Sequence, residues 1–285
     1  FQVVAANPSE THNRIAACGF ADGAATTLDP TAVYGGSQDA VIGAWDAATG
    51  AKLWGKHIGT TALNETCAAI AIDASGDVIA AGQFDGATID LGNGFVLTGP
   101  NSTARKFMWV ARFNGATGQT LAATVFNGTL GGAIPRSMAI AANGDIAIGG
   151  SFTGNLTIGA AITTTGSEDG FIALLDSGFN PVWNAVRIGG TALDLVRSVA
   201  FTSVGDIVAL GNFGASSVSF RTTNGGDTTG LATLTSAGGM DAMVVKLNGL
   251  TGATDDARSY GNAGTQSGDV IAVNRFGANQ IVFSN

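Results

Sequence analysis

The sequence predicts an all-β fold, a β-propeller built from four-stranded antiparallel blades with repeats of about 60–70 residues. Three observations support this prediction. The composition is typical of strands and tight turns, a Gly-Asp turn followed by an apolar run recurs along the chain, and a second apolar motif recurs in phase with the first. Together they indicate short strands joined by turns and arranged in successive units.

The composition favours strands and turns over helices. Of the 21 acidic residues 18 are Asp, a turn former, and the 285 residues include 43 Gly. Proline is scarce and glycine has no three-residue period, which excludes collagen, while 45% hydrophobic content argues against disorder. No apolar run reaches the roughly 18 residues of a membrane helix, so we expect no membrane insertion. The net charge of −8 argues against a nucleic-acid partner, which needs clustered Lys and Arg.

The repeated unit contains four short apolar segments. The Gly-Asp motif has clear copies at 76–84, 144–152 and 205–213 and degenerate copies at 13–20 and 279–285. The second motif begins at Asp39, Phe107, Asp169 and Asp241, and a Gly-containing turn follows each copy. One more segment follows that turn and ends in glycine, and another precedes each Gly-Asp turn. Four strands separated by turns are typical of a propeller blade.

The units are longer than ordinary blades of about 40–50 residues. The excess lies in three stretches rich in Gly, Thr, Ser and Asn, at 85–105, 153–168 and 214–240. We expect these to form extended hairpins or loops on one face, which would then be the variable binding face. A parallel β-helix is the alternative architecture, although its coils are normally shorter.

The first strand of each blade is predicted where small residues cluster, because the innermost strand of a propeller is crowded. This phase gives blades 1–62, 63–131, 132–192 and 193–262, with a half blade at 263–285. About 18 strands result, in a single β-propeller region over 1–285. We expect this region to be part of a longer chain, since a half blade leaves an open arc with exposed strand edges.

Several of these repeated segments resemble a known family. The segments 39–42, 76–78, 188–190 and 234–242, together with Trp54, are similar to the bacterial cell-surface propeller repeats called SBBP, of the myxobacterial type. The resemblance implies an exported surface propeller and no catalytic residues. The segment 44–54 also resembles one blade of the pyrroloquinoline-quinone (PQQ) propellers, which include dehydrogenases. Nothing here resembles the adjacent cysteine pair of those dehydrogenases, so the likeness does not imply the cofactor.

We identify no catalytic, cofactor-binding or metal-ligating residue in the sequence, and we expect no cofactor. His12 and His57 are interpreted as ordinary exposed histidines, because no nucleophile motif accompanies them. In the Asp-rich turns 73–77 and 85–90 we expect the Asp carboxylates to cap the backbone of their own turn and not to bind calcium. Arg136 and Arg197 share one offset before the Gly-Asp turn. They either bind an anion in a central channel or, as we favour, pair with Asp of a neighbouring blade.

The aromatic residues and cysteines carry two further expectations. Trp54 and Trp183 recur in register, which favours packing between blades over sugar binding, whereas Trp45 and Trp109 are less regular. Cys18 and Cys67 lie about five and nine residues from their turns. That offset predicts different heights in neighbouring strands, so we favour two thiols over a disulfide.

We therefore expect a non-catalytic protein, secreted or on a bacterial cell surface, with a structural, adhesive or protein-binding role. Its partner would be another protein or further copies of itself. A polysaccharide-binding module and a PQQ-type cofactor-dependent enzyme are the alternatives. These would be recognised by glycan binding and by a chromophore absorbing above about 320 nm.

Overall fold

The computed structural model describes residues 3–7, 12–22, 28, 38–59, 63–99, 106–126, 128, 131–214, 217–221, 233–273 and 281–284. Within these ranges the chain forms 24 β-strands and no α-helix. A helix long and apolar enough to cross a membrane is accordingly not found in them. The chain divides into two compact units, 1–127 and 128–285.

The first unit contains two four-stranded antiparallel sheets. The first sheet has the order β1-β2-β3-β4, with β1 (Val3–Asn7), β2 (Arg14–Ala21), β3 (Asp39–Asp46) and β4 (Lys52–Ile58). The second sheet has the order β5-β6-β9-β10. Its strands are β5 (Glu65–Ile72), β6 (Val78–Asp85), β9 (Lys106–Phe113) and β10 (Thr120–Phe126). Between β6 and β9 the chain forms a separate hairpin of β7 (Thr88–Asp90) and β8 (Val96–Thr98). Strand β5 packs against β1, β2 and β3, which places one apolar core between the two sheets.

The second unit repeats this arrangement. Its strands are β11 (Ala133–Ile140), β12 (Ile146–Phe152), β13 (Asn155–Ile158), β14 (Ala160–Thr163), β15 (Asp169–Leu175), β16 (Val186–Gly189), β17 (Asp194–Phe201), β18 (Ile207–Phe213), β19 (Ser217–Arg221), β20 (Leu234–Thr235), β21 (Asp241–Leu247), β22 (Thr254–Tyr260), β23 (Val270–Val273) and β24 (Ile281–Ser284). The third sheet has the order β11-β12-β15-β16 and is extended at its edge by β19 and β20, while the fourth has the order β17-β18-β21-β22. Strand β17 packs against β11, β12 and β15. Strands β23 and β24 pair with each other.

The burial of the second strand of a blade explains the apolar run that follows each Gly-Asp turn. Strands β12 and β18 are buried along their whole length, and β6 along all but its last residue. A strand covered on both faces reads as a continuous apolar run instead of an alternating pattern. The glycine of the preceding Gly-Asp turn has a positive φ in all three copies, at Gly76, Gly144 and Gly205. Glycine adopts this left-handed conformation at no steric cost, because it has no Cβ.

The predicted fold class is confirmed: the chain is all-β and consists of propeller blades of four antiparallel strands. The sheets and the terminal pair account for 18 strands, and six more lie in the three long insertions. As predicted, the described parts of these insertions form hairpins, in which β7 pairs with β8, β13 with β14 and β19 with β20. Ile89 and Leu91 of the first insertion belong to the core, and Leu156 and Ile158 of the second are buried. The third insertion adds β19 to the outer edge strand β16.

A disulfide joins the first two sheets, so the expectation of two thiols is wrong. Cys18 and Cys67 are bonded, with a Cα–Cα distance of 5.6 Å. In the pairing of β5 with β6, Cys67 lies opposite Gly82 and Ala69 lies opposite Ala81, so that Ala68 is an extra residue. The short Cα–Cα distance places the two cysteines at one height. The number of residues between Cys67 and its turn overstates the difference in height, because it includes the bulge at Ala68 and residues of the turn itself.

Candidate functional site

Two buried pairs of an acidic and a basic side chain join the third and fourth strands of a blade. His57 Nε2 lies 2.8 Å from Asp39 Oδ2, and Arg187 Nη1 lies 2.8 Å from Asp169 Oδ2. His57 pairs across the sheet with Val41, two residues from Asp39 and hence on the same face. The His57 side chain is only 6% exposed. The interpretation of His57 as an exposed residue is therefore wrong, because its partner lies on the neighbouring strand.

A further carboxylate lies beside the Arg187–Asp169 pair. Asp194, the first residue of β17, is fully buried and accepts hydrogen bonds from Gly190 N at 2.7 Å and Gly214 N at 3.2 Å. Burial raises the pKa of Asp194 to about 6. The negative charge of Asp169 adds to this rise, while the two N–H donors and the positive charge of Arg187 oppose it. The fold thus holds two buried acids against one arginine.

We expect Asp194 to make the stability of the protein depend on pH. Because its folded pKa of about 6 lies above the ordinary 3.8, the folded state binds more protons between these values. Stability is therefore lost as pH rises from about 4 to about 6, by on the order of 2 kcal/mol. Guanidinium denaturation of the wild type and Asp194→Asn across this range measures the effect. As pH rises from about 4 to about 6, the unfolding free energy of the wild type should fall relative to that of Asp194→Asn. Unfolding free energies that change in parallel in the two proteins would refute the prediction.

The same positions in the other sheets do not repeat these pairs. In the second sheet the places of Asp39 and His57 are taken by Phe107 and Val125, which are apolar. In the fourth sheet Ser259 replaces the basic residue. The buried acid–base pair is thus a feature of the first and third sheets and not of every repeat.

Tryptophans hold the turn of a neighbouring sheet. Trp54 Nε1 donates to Gly115 O at 2.9 Å, and Trp183 Nε1 donates to Gly249 O at 3.2 Å. Each indole ring also lies against the glycine that ends the turn, where a Cβ would come within 2.7–2.8 Å of the ring. These contacts confirm the predicted packing role. Trp109 is fully buried as well, which leaves it unable to bind a ligand at the surface.

The first Asp-rich turn is capped by its own carboxylate. Asp73 Oδ1 accepts from Ser75 N at 2.9 Å and from Asp77 N at 3.0 Å, which is the geometry predicted for 73–77. In the second segment Asp90 Oδ1 accepts from Gly92 N at 2.8 Å, so this cap lies just beyond the predicted turn 85–90. The described residues include no group of three or more His, Cys, Asp or Glu side chains placed to hold a metal ion.

A cleft of about 500 Å³ lies between turns of the third and fourth sheets. Leu174 and Phe201, both buried, line its apolar part. The turns on either side contribute Asn143, Asp145, Asp206 and two apolar residues, Val204 and Leu250. Val204 is 75% exposed and Leu250 is 88% exposed. A recess of this volume is within the usual range for a ligand pocket.

The two exposed apolar residues are specific to the fourth sheet. At the position of Val204 the second and third sheets have Ser75 and Asn143. At the position of Leu250 the first and second sheets have Ala48 and Ala116. Large apolar residues thus replace small or polar ones only where the turns border the cleft.

The turn that presents Leu250 is firmly held. Asn248 Oδ1 accepts hydrogen bonds from Leu250 N at 3.0 Å and from Thr251 N at 3.1 Å. Gly252 closes the turn with a φ of 70°, and Trp183 binds it from the third sheet. The exposed leucine is therefore displayed by a rigid element, which is how binding residues are usually presented.

The cleft carries negative charge at its edge. Asp145 accepts from Asn143 Nδ2 at 2.8 Å and makes no ion pair within the described part of the chain. Asp206 lies 2.7 Å from Lys246 Nζ and also accepts from Gly249 N at 3.3 Å. Lys246 is shared with Asp255, so one cation serves two carboxylates there. The edge of the cleft is consequently acidic.

The comparisons with known proteins show weak structural likenesses only. No family model matches the chain, and no curated protein matches it. A protein of unknown function from Dyadobacter fermentans is 13% identical over 98% of this chain and 72% of its own, with a TM-score of 0.44. One of unknown function from Bacteroides caccae is 11% identical over 78% of each chain, with a TM-score of 0.34. BamB from Moraxella catarrhalis is 13% identical over 82% of this chain and 76% of its own, with a TM-score of 0.25. At such scores the likenesses bear no functional argument, and the membership of the SBBP family stays a prediction.

Proposed function

We propose that the chain is a non-catalytic, protein-binding β-propeller module that is secreted or displayed on a bacterial cell surface. The observation that carries the proposal is the cleft between the third and fourth sheets, with Val204 and Leu250 exposed beside it. Exposed large apolar residues on rigid turns cost solubility unless a partner covers them. Val204 and Leu250 are the two most exposed large apolar side chains among the described residues, and both border this cleft, which we therefore take as the binding site.

The chemistry of the cleft selects the kind of partner. Its apolar part, formed by Leu174 and Phe201, suits a large apolar side chain. Its acidic edge, with Asp145 and Asp206, suits a neighbouring Lys or Arg. The partner is therefore a polypeptide segment in which a large apolar residue lies beside a basic one. An interface core of this kind concentrates binding energy in a few side chains.

The disulfide between Cys18 and Cys67 supports the extracellular part of the proposal. Both cysteines are fully buried and bonded. Disulfides form and persist in oxidising compartments, whereas cytosolic thiols are kept reduced. A structural disulfide in the core is therefore what an exported protein would carry.

Selection of phage-displayed random peptides tests the proposed site. The wild-type chain is the target, and the double variant Val204→Ser/Leu250→Ala is used for counter-selection. We expect enriched peptides with a large apolar residue next to Lys or Arg, binding the wild type about tenfold or more tighter than the variant. Two exposed apolar side chains away from the cleft give a matched control, Leu121→Ala/Val96→Ser, since these residues are 42% and 54% exposed. Peptides that bind the wild type and the cleft variant equally, or no enrichment at all, would refute the cleft as the binding site.

A further inference from the structure

Two arginines occupy equivalent β-bulges in the second unit. The pairing of β11 with β12 shifts by one residue at Arg136, and the pairing of β17 with β18 shifts at Arg197. Each arginine is thus the extra, unpaired residue of its strand. A bulge turns its side chain away from the ladder and is often found next to functional sites. The equivalent bulge residue of the second sheet is Ala68, which has no charge to place there.

The strands that carry the two arginines lie side by side. Val199 N on β17 donates to Ser137 Oγ on β11 at 3.1 Å. The pKa of Arg136 is lowered chiefly by burial and also by the nearby positive charge of Arg197, against the attraction of Glu168. The fold therefore brings two like charges together, an arrangement that an anion would stabilise.

Most of the donors of Arg197 are unused. Its Nε donates to Asn212 Oδ1 at 2.7 Å, and the nearest carboxylate oxygen, on Asp269, is 3.9 Å from the same nitrogen. Asp269 is 61% exposed, so its attraction is screened by water. Among the described residues neither Nη nitrogen of Arg197 has a hydrogen-bond acceptor.

Arg136 is more strongly held but also keeps a donor group. Its Nε and Nη2 each lie 3.2 Å from Ser151 Oγ, and Nη2 lies 3.5 Å from Glu168 Oε1. Ser151 also donates to Glu168, and this bond engages the carboxylate. In the described structure the Nη1 nitrogen of Arg136 has no partner. The positive charge of the pair is thus incompletely balanced by Glu168.

We propose that Arg136 and Arg197 form a binding site for an oxyanion, the carboxylate or sulfate group of a small ligand. The Nη1 and Nη2 nitrogens of Arg197 offer the planar two-donor fork that matches such a group. Asn212 orients this fork by holding Nε, and Arg136 adds a second charge and the Nη1 donor. Asp269 acts as a weak competitor that the ligand displaces. The site is separate from the cleft and does not depend on its function.

Titration calorimetry with succinate and with sodium sulfate tests the site on the whole chain, at an ionic strength kept constant with chloride. We expect binding of at least one anion, weakened about tenfold by Arg197→Gln and by Arg136→Gln, since each removes charged hydrogen bonds. Arg258→Gln is the charge-matched control, because Arg258 is 68% exposed and its ion pair within the described ranges is with Asp256, which is exposed as well. Binding that is the same in Arg197→Gln and in Arg258→Gln, or no binding of either anion, would overturn the proposal.

A gain of affinity separates the proposal from simple damage to the fold. Asp269→Asn removes the competing carboxylate, and it should tighten anion binding about twofold to fivefold. A variant that merely destabilised the sheet would not bind more tightly. Unchanged or weaker binding in Asp269→Asn would show that the anion lies elsewhere and would also overturn the assignment.

Discussion

Replacement of Arg187 by methionine is expected to lower the free energy of unfolding by about 3–5 kcal/mol. Arg187 is 4% exposed, and its guanidinium bonds Thr165 Oγ1 at 2.6 Å, Asp169 Oδ2 at 2.8 Å and Ser219 Oγ at 3.3 Å. Methionine fills much of the same space but carries no charge. The carboxylates of Asp169 and Asp194 would then be buried without the cation that faces them, which is the costly way to break a buried ion pair.

Guanidinium denaturation followed by circular dichroism measures this loss. Arg258→Met is the matched control, and it should change stability by about 0.5 kcal/mol or less, because an exposed ion pair contributes little. The double variant Arg187→Met/Asp169→Asn should recover a large part of the loss, since it removes one of the uncompensated charges. A loss below about 1 kcal/mol in Arg187→Met would contradict the role assigned to Arg187.

The arrangement of strands could be predicted from the sequence because its signals are local. A Gly-Asp turn with positive φ at Gly76, followed by a strand buried on both faces, leaves a nearly continuous apolar run. The hairpins of the insertions were predicted from their abundance of Gly, Thr and Ser, but their packing against the blades was not. Their few apolar residues, such as Ile89 and Leu156, alternate with polar ones and are buried against the blades.

The buried charges were missed because their partners are distant in the sequence. His57 and Arg187 lie 18 residues after Asp39 and Asp169, and no local pattern marks them as paired. The repeat itself contains a usable signal, since both acids begin the third strand and both basic residues lie at the same step beyond them. The cleft could not be predicted at all. It depends on how the turns at Val204 and Leu250 meet across two sheets, which apolar periodicity does not encode.

Loss of the disulfide between Cys18 and Cys67 is expected to cost about 4 kcal/mol of stability. The bond closes a loop of 49 residues in sequence separation, and it links β2 of the first sheet to β5 of the second. Without it the unfolded chain gains the conformational freedom of that loop, whereas the folded sheets stay packed through their shared core. We therefore expect Cys18→Ala/Cys67→Ala to fold but to unfold at a clearly lower guanidinium concentration.

Two measurements separate the effect of the bond from that of the side chains. A reductant should shift the unfolding of the wild type toward that of Cys18→Ala/Cys67→Ala, and it should leave the variant itself unchanged. Intact-mass analysis after alkylation of the unfolded protein should find no modified thiol unless the reductant was added first. Two alkylated thiols without reductant would show that the bond does not form. Unfolding of the wild type that a reductant does not alter, once reduction is verified by mass, would show that the link between the sheets adds nothing to the packing of β5 against β2.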